Sequence, residues 1–136
     1  MDAEDMARIA EARLQDAKCL LSKSRCLAAV YLAGYTVELR LKWAILQRQH
    51  RGWMTTKACK DLGHDLQALF RESQVNQRLT RNPDATIIQA RHTVAEWNSE
   101  IRYDPPDKIK RKWTMESSQR FVDAAEVLSR WIQDTF

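Results

Sequence analysis

The stretch from Arg25 to Gln49 constrains the fold more than any other part of the chain. Leu27, Tyr31, Gly34, Glu38, Leu41 and Ile45 make one stripe at helical spacing, and Leu32, Leu39, Trp43 and Leu46 make a second. A helix that is apolar on two faces is the central member of a bundle, or it meets a second chain. Away from its ends it carries three charges: Glu38, Arg40 and Lys42. Glu38 and Lys42 are spaced i, i+4 in the favourable Glu-to-Lys order, so the two side chains meet on one face. The plain reading is an intrahelical pair whose lysine stem snorkels outward. Gly34 lies mid-helix, where glycine costs roughly 1 kcal/mol against alanine. Close approach of another backbone would explain it.

Helical periodicity continues on both sides. Met6, Ala10, Leu14, Ala17 and Leu21 form one face between Glu4 and Lys23. Asp2, Glu4 and Asp5 suit the positive N-terminal end of that helix. Residues 51–63 lose the pattern and read as a connection. The segment HDLQALFRES reads as a short helix opened by His64, with Leu66, Leu69 and Phe70 inward, and residues 76–83 read as a polar loop. Asp84 can cap the next helix, whose seam is Ile87, Ala90, Val94, Trp97 and Ile101. Asp104-Pro105-Pro106-Asp107 ends it, since proline cannot continue a helix. The last helix starts near Thr114 and turns Phe121, Ala125, Leu128 and Ile132 inward, with Val122 and Trp131 beside them. The chain has 136 residues, enough for a sizeable core, and only three Gly and three Pro for hairpins or linkers. The expected fold is all-α: an antiparallel four-helix up-and-down bundle with an additional short helix, one domain over residues 1–136.

Composition narrows function less. The net charge of +4 and a pI near 9.1 permit a nucleic-acid or anion partner without requiring one. The acidic, amphipathic N-terminus resembles neither a secretory signal nor a transit peptide, and no membrane span is expected. Cys19, Cys26 and Cys59 are odd in number and form no CxxC pair, which favours reduced thiols in a cytoplasmic protein. Cys19 and Cys26 read as small core residues in helical, mostly apolar contexts.

Chemical motifs are sparse. His50, His64 and His92 have neither HExxH nor Cys/His ligand spacing, and no Glu-x-x-His pair occurs, so no metal and no cofactor are expected. Three glycines cannot supply a phosphate-binding loop. Lys108, Lys110, Arg111 and Lys112 form a basic run just before the last helix. A helix N-terminus disfavours cations, so positive charge gathered there would suit a phosphate; the competing reading is a solvated loop. His64, beside Asp65, fits either local capping or contact with a nucleotide and proton transfer. His92 lies four residues before Glu96, where an exposed ion pair accounts for it.

The succession EARLQDAKCLL, AAVYLAGYTVELRLKWAI, DLGHDLQALF, IRYDPP and a closing amphipathic helix resembles the HEPN superfamily of helical nucleotide-binding domains. The resemblance spans most of the chain. Its most specific parts are the Glu38–Lys42 helix, the Gly63-His64-Asp65-Leu66 turn and Arg102-Tyr103. It implies a four- or five-helix bundle, often a homodimer, and in many members a small nucleotidyltransferase as partner in toxin–antitoxin or defence systems. Many members are metal-independent ribonucleases carrying Arg, four to six residues, then His. This chain departs from that pattern: none of the three histidines has an Arg at the required distance, and positions 107–109 downstream of Arg102 are Asp, Lys and Ile. The expectation is therefore a non-catalytic domain. It would bind a nucleotide, RNA or a protein through His64, Asp65, Arg102, Tyr103, Lys108, Lys110, Arg111 and Lys112. Glu38 would act as a partly buried organiser with Lys42. A ribonuclease using Arg102 and His64 is the alternative, and a purely structural dimerisation module is the second.

Overall fold

A computed structural model describes residues 1–49, 53 and 55–136. These residues are helical almost throughout and contain no strand, only an isolated antiparallel bridge between Asp2 and Trp53. His50 and the start of the expected connection lie outside the described residues.

Side-chain caps account for where three of the four longer helices begin. Helix α1 spans Ala3–Ser22, and the Asp2 carboxylate accepts the Asp5 N–H at 2.7 Å. Its buried side is Met6, Ala10, Leu14, Ala17 and Leu21, as the spacing predicts. Helix α2 spans Cys26–Arg48 and is buried on most of its circumference. Helix α6 (Ala85–Val94) is capped by Asp84, and α8 (Met115–Thr135) by a reciprocal Thr114–Ser117 box. Helix α2 packs along α1 and α8, α6 lies on α8, and α1 also touches α8. All four feed one continuous apolar core. No described helix is long and apolar enough to cross a membrane.

The shorter elements correct several expectations. Helix α3 (Thr56–Asp61) occupies part of the expected connection. Helix α4 (Leu66–Glu72) is capped by Asp65, so His64 precedes it and does not open it. The polar stretch after Asn76 is helical: α5 spans Val75–Arg81, held by Val75 and Leu79 buried one turn apart. The Ile87–Ile101 seam is buried throughout but not as one helix. Helix α6 stops at Val94, and a 3-10 helix over Ser99–Tyr103 brings Ile101 back to the core. Helix α7 (Pro106–Lys112) starts with Pro106 in its first turn, where the missing N–H costs nothing. Cys19 is exposed and so not a core residue, while Cys26 is half-buried and packs on the edge of the core, its Sγ 3.3 Å from Met115 Sδ.

Gly34 has a specific cause. A Cβ at this position would lie 2.1 Å from Trp97 Nε1, so the indole rests against the bare α2 backbone. The close approach comes from a side chain, not from another backbone. Arg40 is the other unexpected group. It is 2% exposed, donates to Ser129 Oγ at 3.3 Å, and lies 5.4 Å from the Trp43 ring. Its Nη1 is buried with no acceptor among the described residues, and burial lowers the guanidinium pKa against the opposing pull of Glu11.

Candidate functional site

Two consecutive turns set the site. Gly63 ends the α3 turn at φ +73, a left-handed conformation that glycine adopts without steric cost. The chain then reverses, and the Asp65 carboxylate accepts the Gln67 and Ala68 N–H groups to start α4. Leu66, Leu69 and Phe70 anchor α4 in the core shared with α2. This leaves His64 over the middle of α2.

There His64 meets Glu38. The Glu38 Oε1 lies 2.8 Å from His64 Nδ1, and its Oε2 accepts from Lys42 Nζ at 3.3 Å. The burial is unequal. Glu38 and Lys42 side chains are 1% and 3% exposed, while that of His64 is 60% exposed. The pair does not snorkel outward; both charges are held inside. A buried carboxylate needs compensation from every side, and here it comes from a helical neighbour and a turn residue. Tyr35, one turn before Glu38, has its phenol pKa raised by burial and then by the Glu38 charge. His64 Nε2 has no protein partner among the described residues.

His64 faces two hollows. One, of about 280 Å³, is lined by His64, Asp65, Gln67, Trp97, Asn98 and Ser99. It joins the His64 turn to the segment that leads into the 3-10 helix carrying Arg102 and Tyr103. The second, of about 440 Å³, includes Tyr35, Glu38, Lys42, Cys59 and Lys60.

Arg102 and Tyr103 form a surface pair. Arg102 Nη1 donates to the Tyr31 hydroxyl at 2.9 Å, and its guanidinium carbon lies 4.8 Å from the Tyr103 ring centroid. Hydrogen bonds to Tyr103 and then Tyr31 raise the Arg102 pKa. Tyr103 is 70% exposed. Tyr31 in turn lies beside Trp97, with ring centroids 6.2 Å apart.

The basic run sits differently from the expectation. Lys110, Arg111 and Lys112 occupy the last turn of α7, where the helix dipole favours cations, and not a loop opposed by the α8 dipole. Lys108 pairs with Asp104 at 3.3 Å, and Lys112 lies 5.4 Å from the Trp113 ring. The clustering therefore needs no anion to explain it. His92 and Glu96 do not pair; both line a separate hollow with Trp113 and Arg120.

Sequence reasoning missed Tyr31, Tyr35, Lys60, Asn98 and Ser99. One signal was present: Tyr31, Tyr35, Glu38 and Lys42 recur at steps of four, three and four, a polar-tipped line along α2. Asn98 and Ser99 carry no such pattern. Compared with protein-family models, curated proteins and solved structures, the chain matches none of them.

Proposed function

We propose that the chain is a HEPN-like helical binding domain that holds single-stranded RNA or a nucleotide on the surface around Arg102, Tyr103 and His64. In this reading α1, α2, α6 and α8 make an antiparallel four-helix bundle, and the shorter helices carry the ligand surface. The observation that supports it most is Tyr103: a ring 70% exposed, backed by a guanidinium at 4.8 Å. A large exposed aromatic beside a fixed cation suits stacking on a base with contact to phosphate. Helix α7 adds Lys110, Arg111 and Lys112 to the same stretch of chain. A homodimer and a small nucleotidyltransferase partner belong to the proposal through the family resemblance alone.

Fluorescence anisotropy with labelled oligouridine tests it. Tyr103→Ala should weaken binding by about 1–3 kcal/mol and leave the fold intact. Removing the charges of Lys110 and Arg111 should flatten the salt dependence, by roughly 0.7 in slope for each phosphate no longer neutralised. Unchanged affinity in Tyr103→Ala would sink this reading.

One observation favours ribonuclease activity as a second reading. A buried carboxylate 2.8 Å from His64 Nδ1 fixes the imidazole and leaves Nε2 available for proton transfer. RNA supplies its own 2′-hydroxyl as nucleophile, and Arg102 would steady phosphate charge. Cleavage of labelled RNA in the presence of a chelator, lost in both His64→Ala and Arg102→Ala, is the result this reading requires.

A further inference from the structure

We infer that the hollow of about 440 Å³ beside α2 is a binding site for a small organic anion: an apolar, ring-sized body ending in one carboxylate or sulfonate. The hollow shares His64 with the proposed nucleic-acid surface but needs neither Arg102 nor Tyr103. The volume falls in the roughly 300–1,000 Å³ range of small-molecule clefts. Its walls are Tyr35, Leu39 and Cys59, which offer a ring face, a branched aliphatic and a thiol to an apolar body. Polar groups converge on it from Glu38, Lys42, Lys60 and His64.

The sign of the ligand follows from hydrogen-bond accounting. Both Glu38 oxygens are already engaged, one by His64 and one by Lys42. Each oxygen thus has a partner and the Lys42 ammonium offsets the carboxylate charge, so Glu38 draws a second cation only weakly. The Lys42 ammonium has three donors, and its one acceptor among the described residues is Glu38 at 3.3 Å. Its side chain is only 3% exposed, so the remaining donors are costly to leave unmet. The hollow is the space onto which this side chain opens. Lys60 is exposed on the same wall and has no partner among the described residues. Lys42 balances Glu38, and Lys60 adds one positive charge, so the hollow carries a net positive potential that its apolar walls strengthen by excluding water. An anionic group meets both lysines while its apolar body covers Leu39 and Tyr35.

The probe is anilinonaphthalene sulfonate, titrated into the full chain and followed by its fluorescence. The expected result is a single saturable site. Lys60→Glu, at an exposed position, should weaken it about tenfold by placing a like charge on the wall. Cys59→Phe should block the hollow, and circular dichroism checks that this variant remains helical. The neutral analogue phenylnaphthylamine should bind more weakly than the sulfonate. The inference is overturned if the folded chain shows no saturable binding, if Lys60→Glu binds as tightly as the parent, or if the neutral dye binds as well as the anion.

Discussion

Gly34→Ala sets two known quantities against each other. In an ordinary helix interior this change stabilises by roughly 1 kcal/mol, because alanine gives up less backbone freedom. In α2 the added methyl would lie 2.1 Å from Trp97 Nε1 and 2.2 Å from Cε2, well inside contact distance, and the indole is rigid. Relief requires Trp97 to move outward. The ring is 4% exposed and a buried tryptophan removes about 150–250 Å² from water. Exposing about half of that at ~25 cal/mol per Å² costs about 2–3 kcal/mol. The net expectation is a loss of about 1–2 kcal/mol, within the usual range for overpacking. Urea unfolding followed by circular dichroism measures it. The decisive comparison is the same glycine change made in a Trp97→Ala background, where the obstacle is gone and alanine should stabilise. Reversal of sign between backgrounds is the signature of a direct contact. If Gly34→Ala stabilises the parent chain, or if its effect keeps one sign in both backgrounds, the reasoning is refuted.

Three further expectations follow from the polar groups. Glu38→Gln leaves the Lys42 ammonium buried without its counter-charge and should cost about 3 kcal/mol, while Glu38→Gln with Lys42→Met should recover much of that; unfolding midpoints decide, and unchanged stability together with unchanged ligand binding would end the organiser role. Arg40→Met keeps the volume and removes the buried Nη1 that has no acceptor among the described residues, so stability should stay within about 1 kcal/mol or rise, whereas Arg40→Ala should lose about 2–4 kcal/mol through the cavity it opens. The Glu11 pKa is lowered, mainly by hydrogen bonding from Arg130. Its contribution is therefore complete above the ordinary glutamate range and disappears as pH falls through the lowered folded value. This pair is partly exposed, so Glu11→Gln should cost under about 1 kcal/mol near neutral pH, and the difference from the parent should vanish in strong acid.

Legibility in the sequence followed the range of the interaction. Asp84 and Thr114 were readable as helix starts because a cap bonds backbone groups two or three residues away. The buried stripes of α1 and α8 were readable because a helix fixes which side chains share a face. Helix α5 was not, because only Val75 and Leu79 are buried in it and its existence depends on what they pack against. The break after Val94 was hidden by an unbroken seam. Trp97 and Ile101 still reach the core, but by way of a turn and a 3-10 helix that also place Arg102 and Tyr103.

The same division runs through the site. The sequence by itself determined that Glu38 and Lys42 meet, since one turn of helix puts them in reach whatever surrounds them. It also pointed to a turn at Gly63, while the cap at Asp65, one residue later than the helix start read at His64, came from the structure. Only the tertiary structure decided that the pair is buried and that His64, 26 residues from Glu38, completes it. That interaction depends on how α4 docks against α2, a matter of side-chain shape across long sequence separation. No local rule carries such information.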